Sequence, residues 1–213
     1  MKLYWIKAQA PRRVLGLVKH LGLAIDCIEV DAKAGGLGKP DYVALNPNKK
    51  APTLVDGDYV LWEASAIMAY LCIKAGSDMW PSNNPLEQVE VLRWLSWNDC
   101  HWNQAVGPFY FEHIVKKTFG LGKPDGAALE AKTGECVKYA KVLNAHLAGK
   151  QYVACGRLTI ADFQLAGMAQ DLVPNDGYVS LINPDGTVHT LKWICVNRNG
   201  LPLKHPPGSH IAN

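Results

Sequence analysis

The first third of the chain alternates short apolar runs with segments in which apolar residues recur at helical spacing. Four apolar runs predict β-strands, at residues 2–6, 24–30, 53–55 and 59–62. Helical spacing predicts three helices, one beginning at Pro11 and two over residues 40–45 and 64–75. An Asp-Gly-Asp sequence between the last two strands is a hairpin turn signal. This order of elements predicts an α/β domain over residues 1–76.

The middle of the chain has a different pattern. Residues 77–85 are rich in Ser, Asn and Pro, which predicts a linker. Helical spacing then covers three stretches, at residues 86–118, 127–147 and 159–170. Pro108 falls inside the first of them and is expected to kink it. The pattern therefore predicts an all-helical domain over residues 86–170.

The last segment, residues 171–213, loses the helical spacing. Pro, Gly, Asn and Asp become frequent there, and N-P-D-G at 183–186 is a second hairpin turn signal. We expect an atypical, turn-rich tail that is extended or poorly ordered.

Composition narrows the class of protein. The chain has 213 residues, 48% of them hydrophobic and 19% charged, which is ordinary for a soluble globular protein. No apolar run approaches the ~18 residues needed to span a membrane. A net charge of +3 without a Lys/Arg tract longer than a pair gives no support for nucleic-acid binding. Six cysteines without C-x-x-C or zinc-ligand spacing predict reduced thiols, no metal site and a cytoplasmic location.

The segment from Asn46 to Ile67 carries the most specific candidate chemistry. Pro52 opens a strand, and a cis bond before it would turn backbone groups outward, where they can bind an extended peptide. Free N–H groups near Ala64, at the start of the next helix, can hold a carboxylate. Glu63 beside them can pair with an ammonium group. The combination suits the head group of an amino acid, which carries both charges.

These residues resemble the glutathione S-transferase family, of the bacterial cytosolic type. The matching pieces are Y-W near the start, A-P-R-R-V, L-N-P-N-K-K-A-P-T-L-V-D-G-D-Y-V-L-W-E, S-A-I-M-A-Y-L, and L-T-I-A-D-F at 158–163. The resemblance covers residues 1–170. It implies a thioredoxin-like domain followed by an all-helical domain, usually in a homodimer. It also implies glutathione as cosubstrate.

The resemblance assigns binding roles to several residues. Ala51 and the cis-proline Pro52 would bind the cysteinyl part of glutathione, and Glu63 the γ-glutamyl ammonium. The family normally has a serine next, but here Ala64 stands there and Ser65 follows it. Loss of that hydrogen bond costs about 1.5–3 kcal/mol, a roughly 10- to 100-fold weaker affinity for glutathione. Lys49 or Lys50 would approach the glycyl carboxylate.

The candidates for thiolate stabilisation lie in the first strand and at the start of the first helix. Residues 7–11 contain neither the Ser nor the Cys that many bacterial members place before the first helix. Tyr4 matches the catalytic tyrosine of other classes by register, and its competing interpretation is a buried strand aromatic. Ala10 is expected at the N-cap without a side-chain acceptor, which leaves room for an external thiolate beside Arg12 or Arg13. Both arginines have an ordinary surface role as the alternative.

Aromatic residues in the second half offer a candidate electrophile site. Trp102 and Tyr110, with neighbouring aromatics, would line an apolar pocket between the domains, although such a stripe also suits a core. Thr159 and Asp162 match a helix capping box.

Three functions follow from these residues. The first is a glutathione transferase that conjugates the glutathione thiolate to a small hydrophobic electrophile. The alternative is a non-catalytic protein of the same fold that binds glutathione or an apolar ligand, favoured by the missing Ser/Cys and by Ala64. A thiol-disulfide oxidoreductase is disfavoured because no cysteine lies near residues 7–11.

Overall fold

The computed structural model describes residues 1–169, 178–182 and 188–192, with the side chains of residues 1–167. It contains six strands and eight α-helices within those ranges. None of the helices in this part of the chain is both long and apolar enough to cross a membrane.

The amino-terminal domain is built on a four-stranded sheet. Its elements follow the order β1 (Lys2–Trp5), α1 (Gln9–His20), β2 (Asp26–Glu29), α2 (Pro40–Leu45), β3 (Thr53–Asp56), β4 (Tyr59–Trp62) and α3 (Ala64–Ala75). The strands lie in the order β2-β1-β3-β4, with β2 parallel to β1 and with β3 and β4 antiparallel to their neighbours. A βαβ unit followed by a hairpin and a helix is the predicted thioredoxin-like arrangement. Helix α3 ends at the predicted residue, and Gly76, in the left-handed conformation, is its C-cap residue.

The second domain is entirely helical up to residue 169. Its helices are α4 (Pro85–Trp97), α5 (Asn103–Tyr110), α6 (Lys116–Phe119), α7 (Gly126–Leu147) and α8 (Ile160–Ala169). Two π-helical segments, Asn98–Trp102 and Phe111–Val115, connect α4 to α5 and α5 to α6. The predicted long helix over 86–118 is therefore a helical run that is interrupted twice.

Helices α1 and α8 join the two domains. Leu17 of α1 and Leu165 of α8 are fully buried in a core that continues into both domains. The amino end of α8 carries the predicted capping box: the Asp162 carboxylate accepts from the backbone N–H of Thr159 at 2.8 Å and from its hydroxyl at 3.0 Å. The same carboxylate accepts from the backbone N–H of Val153 at 2.9 Å, so it also fixes the preceding loop.

Two strands lie in the tail. β5 (Tyr178–Ile182) pairs antiparallel with β6 (Val188–Lys192), with Ile182 opposite Val188. The pairing confirms the expected hairpin around N-P-D-G, although those four residues and the remainder of the tail lie outside the described residues.

Candidate functional site

The candidate site lies at one edge of the amino-terminal sheet, where β1 and β4 end and β3 begins. Tyr4 near the end of β1 pairs with Thr53 at the start of β3, which pairs with Trp62 at the end of β4. The segments that leave these strand ends are the start of α1, the Ala51-Pro52 bond and Glu63. The register therefore brings together three features that are far apart in the sequence.

The loop before Pro52 is held by buried side chains. The carbonyl of Lys50 accepts from the Tyr42 hydroxyl at 2.6 Å and from the Asn46 amide at 2.8 Å. Both side chains also reach the Thr53 hydroxyl, at 3.0 and 3.1 Å. Burial raises the pKa of the Tyr42 phenol, which therefore remains a donor at neutral pH. This network fixes the backbone that leads into Ala51.

The peptide bond between Ala51 and Pro52 is cis, as expected. Pro52 is buried and Ala51 is half-buried, whereas the Lys49 and Lys50 side chains belong to exposed residues. Lys50 is thus available at the site edge, and its own carbonyl helps to anchor the loop. Tyr42 and Asn46 were not identified from the sequence, since a tyrosine in a short helix and an asparagine in a loop carry no distinctive spacing.

Glu63 occupies the junction between β4 and α3. It is the N-cap residue of α3, it is exposed, and its φ of 74° lies in a region that residues other than glycine rarely adopt. Its side chain makes no capping hydrogen bond to the helix. Glu63 therefore presents an exposed carboxylate beside the first-turn N–H groups of α3 without a hydrogen bond from its own side chain to that helix.

The two residues after Glu63 differ in their exposure. Ala64 is 7% exposed and belongs to the core, and Ser65 is half-buried. The Ala64 backbone N–H lies in the first turn of α3, where intrahelical partners are absent. Any carboxylate bound there would be held by the backbone, with no hydroxyl at position 64.

The start of α1 corrects one sequence prediction. The helix begins at Gln9, and its N-cap is Ala8 with extended backbone angles, not Ala10. Ala10 is the second residue of the helix, where its side chain packs against the hydrophobic core. The chemical expectation is unchanged, because Ala8 also lacks a side-chain acceptor and the first turn has no acidic residue. The positive end of the α1 dipole is therefore not neutralised by its own side chains.

The two arginines of α1 have different surroundings. Arg12 is half-buried and has an interaction partner. Arg13 is only 6% exposed, so the surface interpretation is wrong for this residue. Burial lowers its pKa to about 10, which leaves the guanidinium charged at neutral pH.

Tyr4 is half-buried in the central part of the sheet. Its ring packs edge-to-face against Tyr42, with 6.1 Å between the ring centroids. Tyr4 therefore contacts the same side chain that anchors the loop before Pro52. Its position at the site edge agrees with the sequence prediction, and its catalytic role remains a prediction.

The two residues predicted to line the electrophile pocket, Trp102 and Tyr110, are buried. Trp102 is fully buried and stacks on Trp97, with ring centroids 6.1 Å apart, and Tyr110 is 8% exposed. Trp102 therefore belongs to the helical core and cannot line an open cleft. Phe119 is 42% exposed, and the Lys33 ammonium lies 5.9 Å from its ring centroid.

This Lys33–Phe119 contact connects the two domains at the sheet edge that carries the candidate site. Lys33 belongs to the loop after β2, which runs parallel to β1 and therefore ends at the same sheet edge. Phe119 was missed from the sequence because it closes a four-residue helix with no spacing signal of its own.

Comparisons with known proteins agree with this geometry. The family model for the glutathione S-transferase amino-terminal domain matches residues 1–72. Glutathione S-transferase 3 of Zea mays is 35% identical over 153 residues, which cover 70% of this chain and 68% of that protein. Glutathione S-transferase D7 of Drosophila melanogaster is 32% identical over 158 residues, covering 73% and 66%.

The similarity extends to solved structures. Glutathione transferase F7 of Populus trichocarpa superimposes with a TM-score of 0.74 and 26% identity, covering 80% of this chain and 82% of that one. The shared two-domain fold and the named relatives together define the class of the protein, a transferase enzyme. The chain belongs to the glutathione S-transferase family.

Proposed function

We propose that this protein conjugates the thiolate of glutathione to a small hydrophobic electrophile. The observation that carries the proposal is the convergence, at one sheet edge, of the Ala51-Pro52 backbone, Glu63 and the uncapped start of α1. The names of the relatives, which are glutathione S-transferases, support glutathione as the cosubstrate.

Glutathione would bind as an extended peptide across this edge. Its γ-glutamyl ammonium would pair with Glu63, and its γ-glutamyl carboxylate would accept from the N–H groups of Ala64 and Ser65. Its cysteinyl backbone would hydrogen-bond to Ala51. Lys50 is exposed on the same loop and supplies a cation for the glycyl carboxylate.

In this pose the glutathione sulfur lies near the start of α1. The helix dipole, the N–H groups after Ala8 and the nearby arginines would stabilise the thiolate over the thiol. Tyr4 at the end of β1 is a second donor candidate. The thiolate would attack an electrophilic carbon, a C–S bond would form, and the leaving group would depart with its electron pair. The protein contributes thiolate stabilisation and proximity.

The electrophile would enter from the side where Lys33 meets Phe119. An exposed aromatic ring opposite the site edge offers an apolar wall, which supports a hydrophobic substrate.

A non-catalytic binding protein is the competing function. It is favoured by the two alanines, Ala8 at the N-cap of α1 and Ala64 at the start of α3, each of which lacks a hydroxyl. Such a protein would bind glutathione but leave its thiol at an ordinary pKa.

Two measurements separate these functions. Calorimetry with reduced glutathione reports binding, and turnover of a chlorodinitrobenzene reports conjugation. We expect binding together with turnover well above the uncatalysed rate. Binding without turnover would select the non-catalytic protein, and no binding at millimolar glutathione would refute both.

We also propose a homodimer, which is supported by an exposed apolar stripe on α4. Leu86, Val89 and Leu92 are 83%, 62% and 46% exposed and recur every three residues along one helix. A second copy of this chain is the proposed occupant. Light scattering on the wild type and on Val89→Lys checks this: we expect a dimer and a monomer, respectively, and two monomers would refute it.

A further inference from the structure

Arg13 is a buried cation located one turn into α1. Its guanidinium points toward the start of the helix, where it donates to the side-chain carbonyl of Gln9, the first residue of α1. The residue is 6% exposed, and its Nε has no hydrogen-bond partner in the part of the chain that the structure describes. A buried cation with an unsatisfied donor is costly to stability, and such groups are found preferentially at functional sites.

The side chain is held in place by α8. A methyl group added at Gly167 would lie 2.8 Å from Cγ and 3.0 Å from Nε of Arg13. Only glycine at this position allows such close contact between α8 and the arginine. The guanidinium is therefore fixed between Gln9 and the backbone of the second domain.

An acidic residue faces the same region from the first π-helical segment. Asp99 Oδ1 accepts from the Asn98 amide at 2.8 Å and from the Gln164 amide at 3.1 Å. Asn98 is fully buried and Gln164 is 3% exposed. Asp99 is thus held by two buried side chains, and its charge partly opposes the effect of burial on the pKa of Arg13.

We infer that Arg13 is a positioning residue whose buried charge, held behind the first turn of α1, favours the thiolate form of glutathione bound at the start of that helix. Since no side chain caps α1, the Arg13–Gln9 hydrogen bond also secures its first turn. This inference rests on the proposed function, and it separates Arg13 from Arg12.

The charges around Arg13 support this assignment. Among the described residues, Asp99 is the acidic group that acts on it, α8 meets it through the uncharged Gly167, and the one charged residue of α3, Lys74, lies in the last turn of that helix. Because the Arg13 guanidinium stays charged at neutral pH, it places a positive charge behind the first turn of α1, which favours an anionic sulfur there.

Opposite changes of charge distinguish this electrostatic role from a structural one. Arg13→Met removes the cation with similar side-chain length, and Arg13→Lys retains the charge. Asp99→Asn removes the opposing anion but keeps the oxygen that accepts from Asn98 and Gln164. Arg93→Gln is the matched control, because Arg93 is an exposed arginine on α4, with 62% of its side chain accessible.

The readout is the pKa of the bound glutathione thiol, from the pH dependence of thiolate absorbance. We expect Arg13→Met to raise this pKa by about one unit, a tenfold smaller thiolate fraction below it. Asp99→Asn should lower it, Arg13→Lys should retain most of the wild-type value, and Arg93→Gln should not change it. The affinity for S-methylglutathione, which has no ionisable thiol, should change little in all four variants.

Different results would refute the role of Arg13 and the proposed function. Wild-type protein that binds no glutathione would refute the proposed function. Wild-type protein that binds glutathione and lowers its thiol pKa, with the same pKa in Arg13→Met, would overturn only the role of Arg13. Shifts in the same direction for Arg13→Met and Asp99→Asn would also overturn it, since they indicate a shared structural disturbance. If Arg13→Met does not fold, an unchanged thiol pKa in Asp99→Asn overturns the inference by itself.

Discussion

Glu63→Gln tests the main anchor of the proposed glutathione site. Glutamine keeps the shape of the side chain and one acceptor oxygen but loses the negative charge. Without the ion pair to the γ-glutamyl ammonium, binding should weaken by about 1.5–3 kcal/mol, which is roughly a 10- to 100-fold larger Kd for glutathione. Calorimetry measures this change directly.

The structure also predicts the effect of this substitution on folding. Glu63 is exposed and its side chain makes no capping hydrogen bond to α3, so little stability depends on its charge. We expect the free energy of unfolding to change by no more than about 0.5 kcal/mol, the usual range for such surface positions. Glu130→Gln, an exposed glutamate on α7, is the matched control for affinity and stability.

Glu63→Gly sharpens the test because it separates stability from binding. Glycine tolerates the φ of 74° that glutamate adopts here with strain, so this variant should be more stable by about 1 kcal/mol. Its glutathione affinity should nevertheless fall at least as far as that of Glu63→Gln. A glutathione Kd unchanged in both variants, with lowered stability in Glu63→Gln, would show that Glu63 serves only the helix and would refute this reasoning.

Three further predictions concern neighbouring parts of the molecule. Ala64→Ser restores a hydroxyl donor at the start of α3 and should tighten glutathione binding roughly 10- to 100-fold by calorimetry; unchanged affinity would mean that no carboxylate binds there. Tyr4→Phe should reduce kcat about 10- to 1,000-fold if the phenol donates to the thiolate, and an unchanged kcat assigns activation to α1 alone. Burial raises the pKa of Asp162 from 3.8 to about 6, so the folded state binds more protons between these values. The contribution of Asp162 to stability is therefore largest below that window and falls as pH rises through it. Urea titrations should thus show a larger advantage of wild type over Asp162→Asn at pH near 4 than at neutral pH, and a constant advantage would contradict this sign.

The periodic elements of the fold follow from the sequence because local signals agree with tertiary packing. Thr53 and Tyr59 begin strands at the predicted residues, and α3 has the predicted limits because a strong apolar pattern ends at Gly76. α1 begins at Gln9, before the predicted Pro11, because proline fits any position of a first turn and does not mark the first residue.

The parts of the site that depend on the local sequence were predicted. The parts that depend on packing between distant segments were not. The cis bond before Pro52 follows from the resemblance to the family, and the position of Glu63 between strand and helix follows from the order of the predicted elements. The burial of Arg13 depends on Gly167, which lies far along the chain, and no local pattern reports that contact. The polar support by Tyr42 likewise arises only when α2 folds against the start of β3.

The π-helical segment Asn98–Trp102 has a consequence for how this chain tolerates changes of length. A π turn accommodates one residue more than an α turn, so deletion of a single residue here would leave a regular α-helix without breaking the chain's path. Because the π turn absorbs the extra residue, the side chains of α4 and α5 would keep their angular relation after this deletion, whereas the same deletion inside α4 would rotate them by about 100°. A one-codon deletion should therefore be tolerated better at this segment than in the regular helices on either side of it.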